Sequence, residues 1–122
     1  MTQDEASKLV RRLRARFTDV TTTNDKRGDS KYCIGGVLLH EVFHPRSDIY
    51  KEGVNKRFPC ITEIASALLV LNPNLEAFGG RGAYTNASEI TRRNDAGEFD
   101  AAWQTVIDAL TWEELFPIKG GR

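Results

Sequence analysis

The chain has 122 residues, of which 40% are hydrophobic and 28% are charged, as is usual for one globular domain with a modest core. Lys and Arg balance Asp and Glu at 17 each, which argues against a dedicated nucleic-acid binder. The longest uninterrupted apolar run, residues 67–71, is far too short to span a bilayer, so no membrane association is expected.

The first predicted element is a basic helix over residues 1–17. Its apolar residues recur on one face, as a helix packed against a core requires: Ala6, Leu9, Val10, Leu13 and Phe17. The other face carries cations that, together with Arg81, form the candidate interaction surface: Lys8, Arg11, Arg12 and Arg16. Such a stripe can bind phosphate groups, or it can be solvated or pair with the acidic C-terminal helix. The zero net charge favours the second interpretation.

The sequence also predicts a compartment. Residues 1–17 lack the apolar stretch of a signal peptide, so we expect a cytoplasmic protein. The two cysteines, Cys33 and Cys60, each precede an apolar helical pattern and lack the close pairing of a redox or zinc-finger motif. We therefore expect both to be buried, reduced thiols.

After a polar loop over residues 18–31, a second helix is predicted over residues 32–43. It is nearly all apolar and is therefore expected to be central. Gly35 and Gly36 in this helix would let another helix approach closely.

Both histidines of the chain lie in the pentapeptide 40–44, which has the H-E-x-x-H spacing of zinc metalloproteases. Residues four apart share a helix face, so His40 and His44 could bind one Zn²⁺ while Glu41 acts as general base. The resemblance to gluzincin-type metalloproteases implies a glutamate from a later helix as third ligand, and Glu63 is the residue available.

The residue after the motif argues against this zinc site. Pro45 follows His44 directly, lacks an N–H donor and disfavours the α conformation of the residue before it. The helix is therefore expected to end at His44 or just before it, where a metal ligand would be poorly held. We accordingly favour a protein without a cofactor and keep a zinc-dependent hydrolase as the alternative.

The rest of the chain predicts further helices. An irregular stretch over residues 45–58 precedes a third helix from about residue 59 to residue 71. Residues 73–84, which are rich in glycine, are expected to form a loop. A short fourth helix is capped near Asn86 and ends around Arg93, and a fifth covers about residues 98–110 with the clearest amphipathic pattern in the chain.

These elements predict a mainly α fold. We expect a compact single-domain bundle of about five helices with two long polar loops. Its core would span residues 30–116, with a last short turn near residue 112 and a frayed tail over residues 117–122.

Two short motifs resemble those of a family of small helical proteins of unknown function from bacteria and their phages. Members show a Cys-x-x-Gly-x-Leu element, here Cys33 to Leu38, and a later Asn-Asp pair, here Asn94 and Asp95, before the final helix. The resemblance covers about residues 30–112. It implies a helical fold rather than a particular activity, and nothing in its pattern requires His40 or His44.

Asn94 and Asp95 also have a structural interpretation, since such side chains bind nearby backbone N–H groups at turns. A functional role for this pair is the alternative. Taken together, the sequence favours a non-catalytic module that binds a protein partner or itself, with nucleic acid as the less favoured partner.

Overall fold

The computed structural model describes residues 1–22, 32–43 and 58–116, and these residues form an all-α bundle. The elements in chain order are α1 (Gln3–Arg16), α2 (Ile34–Phe43), α3 (Ile61–Leu71), a 3₁₀-helix (Pro73–Phe78), α4 (Gly80–Asp95), α5 (Phe99–Leu110) and α6 (Trp112–Leu115). The predicted fold class is confirmed. Most of the two predicted polar loops and the predicted tail lie outside the described residues. Within the described ranges, no helix combines the length and the apolar character needed to cross a membrane.

Helix α1 begins and ends close to its predicted limits. Its first turn is capped, which fixes where the helix begins. The Thr2 hydroxyl accepts from the Glu5 N–H at 3.1 Å, and the Glu5 carboxylate accepts from the Thr2 N–H at 2.9 Å. This reciprocal pair satisfies two donors that the helix itself leaves without partners. Three residues of the predicted apolar stripe are fully buried: Ala6, Val10 and Leu13.

The close approach predicted for α2 is present at Gly35. A Cβ built at this position would lie 2.4 Å from Ile64 Cδ1, on α3, and 3.4 Å from Pro59 Cγ. The absent side chain therefore lets the Ile64 side chain of α3 pack directly on the backbone of α2. Residues 34–39 of α2 are all buried, which confirms that this helix is central.

The loop predicted over residues 73–84 is wrong. Pro73–Phe78 form a 3₁₀-helix, and α4 begins at Gly80 rather than near Asn86. Asn86 is instead a buried interior residue of α4, and its amide donates to the Gly82 carbonyl at 2.5 Å. Tertiary packing outweighs the low helix propensity of glycine here, because Gly82 packs directly on the 3₁₀-helix.

The second half of the bundle is the helix pair α4 and α5. Arg93 joins them, since its Nε donates to Glu89 on the same helix at 2.7 Å and its Nη1 donates to Thr105 of α5 at 3.0 Å. Gly97, with φ +78°, provides the left-handed residue of the connecting turn. The inner face of α5 follows the predicted pattern, with Ala102, Trp103, Val106 and Leu110 buried. Helix α1 packs on α5, and α3 packs between α2 and α4.

We predict that Gly82→Ala destabilises the protein by about 1–3 kcal/mol. A Cβ at this position would lie 2.8 Å from the Leu75 carbonyl oxygen and 3.1 Å from Phe78 Cβ, so backbone would have to move. Urea unfolding followed by circular dichroism at 222 nm measures the change.

Gly80→Ala is the matched control in the same helix. A Cβ at Gly80 meets nothing within 4 Å, so this change should stabilise α4 by up to about 1 kcal/mol. Equal effects of the two substitutions would contradict the steric argument.

Candidate functional site

The first residue of the H-E-x-x-H motif packs among aromatic rings. His40 is half-buried in the last turn of α2. Its imidazole meets Phe17 at a centroid distance of 5.2 Å and Tyr32 at 5.8 Å, both edge to face. Phe17 and Tyr32 are themselves 5.3 Å apart, so the three rings form one cluster between α1 and α2. Contacts of this geometry are typical of core aromatic packing.

The two acidic residues of the predicted zinc site have other partners. Glu41 accepts from Arg12 of α1 at 2.9 Å, with its side chain 17% exposed. Glu63 accepts from the Cys60 N–H at 3.0 Å and so caps the start of α3. A general base must be positioned for the proton that it removes, and the ion pair to Arg12 competes with that role.

His44 and Pro45 lie outside the described residues, so the complete motif is not seen. Among residues 1–22, 32–43 and 58–116, no group of three His, Cys, Asp or Glu side chains is arranged to hold a metal ion. The zinc set of His40, His44 and Glu63 with Glu41 stays a prediction.

The predicted basic surface is partly neutralised by contacts within the protein. Lys8 pairs with Asp4 at 3.0 Å, Arg12 pairs with Glu41, and the Arg16 guanidinium lies 5.3 Å from the centre of the Phe17 ring. Arg11 is exposed on the outer face of α1. The last predicted member of the interaction surface, Arg81, is exposed in the first turn of α4. It therefore lies on a different helix from the four cations of α1, which packs on α5.

A buried hydrogen-bond node lies at the start of α2. The side chain of Asn94, 2% exposed, accepts from the Ile34 N–H at 2.9 Å and donates to the Thr21 carbonyl at 3.1 Å. The Thr21 N–H in turn donates to the Tyr32 carbonyl at 2.9 Å. The predicted binding of backbone groups by Asn94 is therefore present, but its partners are remote in sequence rather than local. Asp95 is half-buried and lies 3.4 Å from the Asn94 amide.

Cys33 belongs to the same node. Its sulfur accepts from the Gly36 N–H at 3.3 Å, which places the thiol at the N-terminus of α2. Burial raises the pKa of the Cys33 thiol to about 11, the N–H groups of Gly36 and Gly35 oppose the shift, and the charge of Asp95 adds to it. At neutral pH the group is a thiol, which is a weak nucleophile.

The prediction that both cysteines are buried is right for Cys33 and wrong for Cys60. Cys60 precedes α3 at its N-cap position, where the chain enters the helix at the protein surface. Both residues are thiols, as predicted.

The structure adds a group of aromatic and aliphatic side chains at the surface, two of them exposed and two half-buried, that the sequence patterns did not single out. Trp112 and Phe116 stack at a centroid distance of 4.4 Å, and Trp112 meets Phe78 edge to face at 6.3 Å. Leu115 and Phe116 are 45% and 52% exposed. We call these four residues, Phe78, Trp112, Leu115 and Phe116, the aromatic surface. Its sequence signature is a helix of only four residues that carries a Trp and is bordered by a Phe.

Hydrogen bonds at Glu113 hold α6 against the bundle. Its carboxylate accepts from the amide of Asn72 at 3.0 Å and from the Met1 ammonium at 3.2 Å. Burial opposes ionisation of Glu113, but these hydrogen bonds outweigh it and lower the pKa below 4.5. Asn72 also donates to the Ala109 carbonyl at 3.0 Å, so α6 is joined to both α3 and α5.

No family model, curated protein or solved structure matches the chain. The two motifs of the family resemblance do meet in space, because Asn94 binds the residue that follows Cys33. Membership of that family stays a prediction.

We predict that Asn94→Ala destabilises the protein by about 2–4 kcal/mol, because two buried backbone groups, on Ile34 and Thr21, lose their partner. Chemical denaturation measures the loss. Asn74→Ala, at an exposed position of the 3₁₀-helix, is the control and should change stability by less than about 0.5 kcal/mol. Similar effects at the two sites would refute the role of the node.

For the zinc hypothesis we expect substoichiometric zinc in the purified protein and no thermal shift with zinc or chelator. The reason is the Arg12 pairing of Glu41 and the proline that follows His44. Elemental analysis by mass spectrometry gives the metal content. One zinc per chain, lost in both His40→Ala and His44→Ala, would establish a zinc site and favour the hydrolase alternative instead.

Proposed function

We propose that this protein is a non-catalytic interaction module of the cytoplasm that binds another protein through its aromatic surface. The observation that carries the proposal is the exposure of Leu115 and Phe116 beside the half-buried Trp112, on which the Phe116 ring stacks. Exposed and contiguous apolar groups mark contact surfaces, and Trp and Phe are enriched in the cores of protein interfaces.

The way the surface is held supports this role. Glu113 and Asn72 fix α6 through hydrogen bonds, and the Phe78 ring supports Trp112 from the 3₁₀-helix. A surface whose rings are already in place loses less conformational entropy on binding than one that must be ordered.

Charge around the aromatic surface indicates the chemistry of the partner. Glu114 is exposed on α6, and Glu76 is exposed on the 3₁₀-helix that carries Phe78. An acidic border favours a partner that presents an apolar side chain beside Lys or Arg. It disfavours symmetric self-association through this surface, since two copies would place like charges together.

The basic residues of α1 are the less favoured contact surface. Arg12 and Lys8 already pair with Glu41 and Asp4, so a partner phosphate would have to compete with these carboxylates. This competition is the reason we place nucleic acid behind protein as the partner. The cytoplasmic location is supported by the two thiols, which an oxidising compartment would expose to disulfide formation.

We predict that a photo-crosslinking amino acid at position 116, introduced in the native host, gives a discrete crosslinked product with another protein. The same group at position 104 is the control, because Gln104 is exposed on α5, away from the aromatic surface. The crosslinked partner should then bind the purified protein directly.

In that direct assay, Trp112→Ala should weaken binding by about tenfold or more, as interface aromatic anchors usually do. Gln104→Ala should leave the affinity unchanged. Crosslinking of equal yield at positions 104 and 116, or full affinity of Trp112→Ala, would refute the proposal.

A further inference from the structure

A cleft of about 260 Å³ lies between the end of α1 and the first half of α5. Six residues line it: Arg14, Phe17, Thr18, Val20, Phe99 and Trp103. Three of these side chains are aromatic and one is a guanidinium. Pockets that bind small molecules usually combine mostly apolar walls with few polar groups, and their volumes begin near 300 Å³. This cleft is smaller than such pockets, and the polar atoms of residues such as Arg14 and Thr18 make a large part of its lining, so it suits only a ligand of one small ring that also carries a polar group.

The aromatic walls are held rigidly by their surroundings. Phe17 packs edge to face on Tyr32 and His40 at 5.3 and 5.2 Å, so its ring is fixed from behind. Trp103 is only 3% exposed, and Phe99 lies one turn before it on the same face of α5. Walls that are already in position reduce the entropic cost of binding.

The cation at the cleft is bound by a group that a ligand can replace. Arg14 Nη2 contacts Asp100 Oδ1 at 2.5 Å, but the two side chains are 46% and 89% exposed. An ion pair this exposed to water contributes little to stability. A ligand carboxylate can therefore take the place of the Asp100 carboxylate at small cost, and Arg binds carboxylates in a bidentate geometry that adds specificity.

We propose that this cleft binds a small aromatic carboxylate, with its ring among Phe17, Phe99 and Trp103 and its carboxylate on Arg14 in place of Asp100. The inference is independent of the proposed protein interaction. The aromatic surface lies beyond the opposite end of α5, a helix of 12 residues, which spans roughly 18 Å.

Phenylacetate and its neutral isostere phenylacetamide test the proposal. The titration follows Trp103 fluorescence in a Trp112→Phe background, so that one tryptophan reports. Phenylacetate should bind saturably and roughly fivefold more tightly than phenylacetamide, as expected for a partly exposed charge pair. In ¹⁵N spectra, the amides that shift should be those of residues 14–20 and 99–103.

Substitutions at the cleft separate the local cation from the overall charge. Arg14→Gln should abolish the preference for phenylacetate over phenylacetamide, and Asp100→Asn should strengthen phenylacetate binding by a few fold because the competing carboxylate is removed. Arg11→Gln removes a charge from the same helix outside the cleft, and it should retain the preference. Circular dichroism confirms the fold of each variant.

Three results would overturn the inference. The first is the absence of saturable binding at any soluble concentration of phenylacetate. The second is equal affinity for phenylacetate and phenylacetamide in the protein with Arg14 intact. The third is a set of shifted amides centred on α6 instead of the cleft.

Discussion

The buried side-chain amide of Asn94 holds together the part of the structure on which the other features depend. Its oxygen accepts from the first N–H of α2 and its nitrogen donates to the Thr21 carbonyl. Each of these backbone groups would cost about 1–3 kcal/mol if it were left buried without a partner. The first turn of α2 carries only apolar residues and glycine, so its N–H donors are bound from outside the helix: the Ile34 N–H by Asn94 and the Gly36 N–H by the sulfur of Cys33, the residue before the helix. The start of the central helix is therefore fixed from outside the helix.

The position of α2 determines the geometry further along it. His40 projects from the last turn of this helix into contact with Phe17 and Tyr32, and the next residue, Glu41, reaches Arg12. The ring cluster in turn supports one wall of the cleft, through Phe17. Phe17 therefore belongs both to the ring cluster around His40 and to the wall of the cleft.

The sequence predicted those elements whose apolar residues repeat with the period of a helix. This holds for α1, α3 and α5, whereas α2 was predicted from its nearly continuous apolar residues. The capping pair of Thr2 and Glu5 at the start of α1 was seen only in the structure. The region 73–84 was mispredicted because glycine was taken as a loop signal. In the structure Gly82 is required by the approach of the 3₁₀-helix, and such a contact depends on a neighbour that local sequence does not specify. Gly35 has the same role, and there the surrounding apolar helix pattern made the role predictable.

The candidate sites show the same division between local and non-local information. Spacing along a helix tells which residues share a face, so the motif at His40 could be recognised, but the partner of Glu41 comes from position 12. Likewise, a basic stripe was visible on α1, yet the carboxylate that meets Arg14 belongs to α5. Part of the basic charge of α1 is therefore balanced inside the molecule. Pairing with carboxylates neutralises some of the cations on α1. Among the described residues, two candidate binding features of different chemistry then stand out. One is an aromatic surface bordered by acidic residues, and the other is a cleft whose arginine holds an exchangeable partner.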